Sequence, residues 1–327
     1  MAIPLNLVYR SRNVQYPFLA AINAANGWER AGIELKSLKF VSGAAASDPL
    51  LINGECDFIF GSHISPYIHR MNGHPFVYLG QTVNWCDDVI VTREPIKSVR
   101  ELEGKRYVER EGSDADRHHG NHPGGNHLLY LRREGLDPHK VTFVAATSRD
   151  YWKDVLDGRG DFTFSGPPED EDAQKAGLHI LPLEPLPMVN ASTMTTLWPI
   201  LQERRDLCEG VLKAALMGVH FIKTQPDKMW KVFQDDVAKE LNIQDERALK
   251  HLHQFCQAIL EPRLYPHAGA VQNAFELAVM EEPQIGQKLS PFSLWDIHLL
   301  REIEESEFID DLYGGNVPPP GAPPKRS

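Results

Sequence analysis

The chain contains no apolar run approaching the ~20 residues that a membrane-spanning helix needs. Its opening, "MAIPLNLVYRSRN", has no basic stretch followed by a long apolar one, so it does not read as a secretory signal. Cysteine is scarce. Cys56, Cys86, Cys208 and Cys256 lie far apart and make no CxxC or zinc-type spacing. They read as free buried thiols, which favours a reducing compartment. A cytoplasmic location is therefore expected, or a periplasmic one if a leader has been removed. There is no GxSxG, Walker A or GxGxxG motif, so nucleotide binding and serine-type hydrolysis find no support. Positive charge is in deficit: 34 Lys and Arg against 45 Asp and Glu give a net −11. Nucleic acid and anionic membrane surfaces are thus poor partners, although a local basic pocket can still hold an anion.

The chain does contain alternation. "IPLNLVY" (3–9), "IELKSLKF" (33–40), "CDFIFG" (56–61) and "PFVYLGQTV" (75–83) read as strands, with helical segments at 16–32, 43–55 and 65–73 between them. A second alternating set runs from "DDVIVTR" (87–93) to "LHILPL" (178–183). Short connections predict βαβ units and a mostly parallel sheet. From about 197 the pattern becomes helical, at 206–224, 226–241, 245–259, 268–279 and 293–306. His251 and His253 fall on one of these helices and read as structural. The ending, "GGNVPPPGAPPKRS", is rich in Pro and Gly and predicts disorder over 316–327.

One segment stands out. "GSDADRHHGNHPGGNHLL" (112–129) carries His118, His119, His122 and His127 among glycines and a proline, with Asp114 and Asp116 nearby. Imidazole is a good metal ligand, and it titrates in the range that suits proton transfer. A divalent metal on His118, His119 and His122 is one reading. One or two imidazoles contacting a ligand is a second, and a solvated loop is the third. Pro123-Gly124-Gly125 prevents a single helix from presenting all four.

Three passages carry a resemblance: "PFLAAINAANGWERAGIELKSLKFVSGAAASDPLLINGECDFIFGS" (17–62), "IKSVRELEGKRYVEREGS" (96–113), and the pair "EGLDPHKVTFVAAT" (134–147) and "LDGRGDFTFSGPPE" (156–169). In this order they resemble the type II periplasmic binding protein fold, and within it the NMT1/THI5-like and SsuA-like group. The resemblance implies a two-domain α/β fold with an interdomain cleft and a helical C-terminal region. Domain I would be 1–90 plus 195–315 and domain II 91–194, with hinges near 84–92 and 188–196. Ligands of such folds lie in the cleft, at loops after the carboxyl ends of strands.

That architecture nominates the site residues. Arg10, Arg12, Asn13 and Tyr16 follow the first strand, and an arginine there suits a carboxylate or sulfonate. Gly43, Ser62, Trp85, Ser113, Ser165 and Glu169 complete the candidate binding set. His63, His118, His119 and His122 are the candidate proton donors. Relative to the group, the histidine loop looks longer by roughly ten residues. The expected partner is a small anionic ligand, and the C-terminal helices offer a candidate homodimer surface. Two functions follow from the resemblance. The first is a cytoplasmic lyase, decarboxylase-like, acting on a small aromatic acid with histidine as general acid. The second is the solute-binding component of an ABC-type importer for a sulfonate, nitrate-like or aromatic anion.

Overall fold

A computed structural model describes residues 2–61, 63–109, 124–147, 150–166 and 169–323. It divides the chain into two units. The first comprises Met1–Trp85, Pro187–Ala274 and Lys288–Ser327, and the second Cys86–Leu186 and Phe275–Gln287. Segment 275–287 thus clusters with the second unit, although the resemblance placed it in the first domain. Within that unit Arg133 Nη2 meets Glu276 Oε2 at 2.7 Å.

The strands are β1 (Ile3–Tyr9), β2 (Ile33–Phe40), β3 (Phe58–Phe60), β4 (Phe76–Cys86), β5 (Val89–Thr92), β6 (Arg106–Glu109), β7 (Thr142–Ala145), β8 (Phe162–Ser165), β9 (His179–Leu181) and β10 (Leu186–Leu197). The first unit's sheet has the order β2-β1-β3-β10-β4, and the second's has β7-β6-β8-β5-β9. β1 runs parallel to β2 and β3, and β6 runs parallel to β7 and β8. β10 lies antiparallel to β3, and β5 antiparallel to both β8 and β9. The sheets are therefore mixed rather than mostly parallel.

β10 was unreadable as a core strand because "NASTMTT" is polar. Its buried threonine hydroxyls find acceptors, whereas Ser192 Oγ has none among the described residues. Thr82 Oγ1 donates to the Ser192 carbonyl (2.9 Å), and Thr193 Oγ1 donates to Gln81 Oε1 (2.6 Å). Buried polar groups are tolerated when paired in this way.

The first unit's core packs under the helix Arg205–Thr224. Its buried Leu207, Val211, Leu212, Ala215, Val219 and Ile222 recur at helical spacing. The helix Gln15–Ala24 approaches it closely because of Gly218, where a Cβ would come within 2.4 Å of Ile22 Cγ1. The second unit has its own small core of Val89, Val91, Val108, Val155, Ala173 and Leu178. The predicted helix 226–241 contains a π-helical turn, Phe233–Val237.

The Pro-rich ending departs from the predicted disorder as far as residue 323. Gly321 is buried; its N–H donates to Glu261 Oε2, and its carbonyl accepts from Trp85 Nε1 (2.8 Å). Among the described residues no helix is long and apolar enough to cross a membrane.

Candidate functional site

In the order β2-β1-β3 the chain leaves β1 toward one neighbour and returns on its other side. The loops after β1 and β3 therefore diverge, and that is where open α/β sheets bind ligands. Arg10 and Ser11 follow β1, and Gln15 Oε1 accepts from both of their backbone N–H groups (2.9 and 3.0 Å). Gln15 Nε2 in turn donates to the Ala191 carbonyl (2.6 Å).

His63 follows β3 and is 8% exposed. Its Nε2 lies 3.0 Å from the same Ala191 carbonyl, so that nitrogen must carry the proton. Ala191 has φ +54°, a left-handed conformation that costs a non-glycine residue about 1 kcal/mol or more. Its carbonyl, within β10, thus meets two donors, one from the start of the helix Gln15–Ala24 and one from the loop after β3. Gly61 is needed here, with φ +123° and with Arg10 Cβ 3.2 Å from where a side chain would begin. Behind the loop, fully buried Asp48 accepts from Ser65 Oγ (2.5 Å) and pairs with His69 Nε2 (3.1 Å). This fixes the helix Ser65–Met71 that follows His63.

The structure thus brings Arg10 and His63 into one network. Arg12 and Tyr16 belong to another. Arg12 Nε pairs with Glu240 Oε1 at 3.6 Å, and its guanidinium stands 4.4 Å over the Phe40 ring. Tyr16 donates to Asp236 Oδ1 (2.8 Å), and burial with that carboxylate raises its hydroxyl well above the usual tyrosine value. Asn13 is exposed. Gly43 precedes the helix Ala44–Ile52 with φ +84°. Trp85 lies beside His267 (5.4 Å between ring centres) and is held by Gly321, apart from the Arg10 network.

In the second unit the order β7-β6-β8 repeats the arrangement. The loop after β6 holds Ser113, His118, His119 and His122, all outside the described residues, as is Ser62 of the first unit. Among the described residues no group of three or more His, Cys, Asp or Glu is arranged to hold a metal ion.

His127, at the start of the helix Gly124–Arg133, is described. Its Nδ1 lies 2.9 Å from Glu109 Oε2 and its Nε2 2.9 Å from Asp88 Oδ2. Carboxylates on both nitrogens require both to be protonated. Burial works against that charge, but hydrogen bonds to Asp88 and Glu109 outweigh it and lift the imidazole to about 9. The ring lies flat on Phe164 (4.2 Å, 3°), and Tyr107 donates to Glu109.

Sequence reading missed this cluster. Its one local signal is "RYVE", which puts Tyr107 and Glu109 on the same face of a strand. Ser165 ends β8, and Glu169 opens the helix Glu169–Lys175. Glu169 is accessible to solvent yet crowded by protein mass and by Asp150, Asp170 and Asp88, and its carboxyl is pushed up to about 7.

A family model described as NMT1/THI5 like matches residues 17–229. No curated protein matches the chain. Among solved structures, the periplasmic aliphatic sulphonate binding protein SsuA from Escherichia coli superposes with a TM-score of 0.64 at 16% identity, over 92% of this chain and 97% of that one. A putative sulfonate-binding SsuA from Methylobacillus flagellatus KT gives 0.64 at 13%, over 100% and 98%. The desulfurization enzyme DSZB, as a cysteine-to-serine variant in complex with biphenyl-2-sulfinic acid, gives 0.62 at 16%, over 94% and 100%. At these identities the likeness shows the fold.

Proposed function

The chain belongs to the NMT1/THI5-like family, and from that premise we propose that it binds a small organic anion of the sulfonate and carboxylate class at the carboxyl ends of β1 and β3. One observation carries this reading. Arg10 and Arg12 lie on the loop after β1 and the buried imidazole of His63 on the loop after β3, where the sheet order diverges. Arginine suits such anions because its planar donors match two oxygens at once. The sulfonate-binding proteins of the same fold support the reading.

Calorimetric titration with propanesulfonate, benzenesulfonate and benzoate tests it. Binding is expected for at least one of them. Arg10→Ala is expected to weaken it by roughly tenfold or more, the usual worth of a charge-assisted hydrogen bond. Failure of all three to bind at millimolar concentration refutes the reading.

A second reading, a lyase on an aromatic carboxylic acid, is favoured by Glu169. Near pH 7 this carboxyl populates both protonation states, as a proton donor to a carbon losing CO2 must. The donor would then be a carboxyl rather than His63, whose Nε2 proton is committed to Ala191. Release of CO2 from benzoate-type acids, lost in Glu169→Gln, is the measurement; binding without turnover eliminates this reading.

A further inference from the structure

Arg12 does not wait alone for a ligand. Its Nε faces the Glu240 carboxylate at 3.6 Å, and that carboxylate also takes the Tyr9 hydroxyl at 3.4 Å. Glu240 comes from the short helix Ala238–Leu241, which continues directly from the π-helical turn Phe233–Val237. The Arg12 side chain is 45% exposed and that of Glu240 33%. It lies over Phe40, whose ring centre is 5.4 Å from that of Tyr9. An exposed pair of this kind is weak, so it can exchange.

We propose that Glu240 is a built-in competitor for Arg12, and that the anion taking its place is carried on an aromatic body. This rests on the anion-binding reading above. A plain alkyl monoanion only replaces one carboxylate with another and gains little. An aryl anion adds contact with the partly exposed Phe40 ring, so the exchange becomes favourable for it. Glu240 thereby sets selectivity by raising the threshold for every anion and leaving the aromatic contact to decide which ones pass.

The test is titration of the full chain with benzenesulfonate and propanesulfonate. Wild type is expected to prefer benzenesulfonate. Glu240→Gln should tighten both about two- to fivefold, the range an exposed ion pair supports. Phe40→Leu should erase the aryl preference. Glu302→Gln removes an equal charge from the exposed pair with Arg205 and should change neither affinity. Unchanged or weaker binding in Glu240→Gln, with wild type still binding, overturns the inference and leaves the anion-binding reading standing. So does equal tightening in Glu302→Gln. Absence of binding in every variant and in wild type refutes both.

Discussion

Replacing His127 with glutamine removes the charge that two carboxylates enclose, and the consequence should be read against pH. The imidazole is held at about 9 in the folded chain, against about 6.5 in an unfolded one. The folded value is the higher, so the contribution is complete below about pH 6.5 and is lost as pH rises through 9. Across that window the folded state binds more protons than the unfolded one. Stability then falls by about 1.4 kcal/mol per pH unit, about 3 kcal/mol in all. Trp152 is the only tryptophan of the second unit and reports on it alone. The assay is urea unfolding of fluorotryptophan-labelled protein, followed through the Trp152 resonance between pH 6.5 and 9.5. Wild type should lose about 3 kcal/mol relative to His127→Gln over the window. At pH 6.5 the variant should already be weaker by about 3 kcal/mol, because the charged imidazole that Glu109 and Asp88 share is removed. Parallel stability curves for the two proteins would refute the double-carboxylate account of His127.

Two further perturbations follow from the packing. Gly321→Ala puts a Cβ 2.1 Å from the Ile259 carbonyl oxygen and 2.6 Å from that of Leu260. It should destabilise the first unit by about 2 kcal/mol and shift Trp85 emission as the indole loses its acceptor, both read in one fluorescence melt; an unchanged melting temperature counts against the docked ending. Asp161 is held down to about 2, first by its hydrogen bond from Arg106. The folded value is the lower, so its contribution is present above about pH 3.8 and disappears as pH falls through 2. Asp161→Asn should cost about 1 kcal/mol at pH 7, after allowing for solvent screening, with the gap to wild type closing in acid.

Much of the fold was legible in the sequence because parallel βα units advertise themselves. "IELKSLKF" and "CDFIFG" are short, apolar and separated by helix-length spacers, and they became β2 and β3. What hid was structure stabilised by distant partners. β10 is polar in sequence and becomes core because distant partners supply hydrogen bonds, among them Gln81 and Thr82 over a hundred residues earlier. The ending composed of Pro and Gly reads as disordered, yet it docks because Gly321 alone fits under the carbonyls of Ile259 and Leu260. The site divides in the same way. Arg10 and His63 could be placed by their positions after strands. Asp88, Glu109 and His127 come from three separate segments, and Arg12 meets a carboxylate from residue 240.

The described charges at the two sheet ends differ, which on the anion-binding reading proposed above favours the ends of β1 and β3. At the ends of β1 and β3 stand Arg10, Arg12 and His63, with Glu240 as the carboxylate paired to Arg12. Among the described residues of the second unit, the imidazolium of His127 is enclosed by the carboxylates of Asp88 and Glu109. An imidazolium whose two nitrogens already meet carboxylates has no ring N–H left for a sulfonate or carboxylate. Histidine abundance in the sequence pointed to the loop after β6 as the anion grip. His118, His119 and His122 of that loop lie outside the described residues, and the described His127 is committed to Glu109 and Asp88. Anion affinity should accordingly respond to Arg10 and Glu240 and be nearly indifferent to His127→Gln at pH 6.5, provided the second unit remains folded.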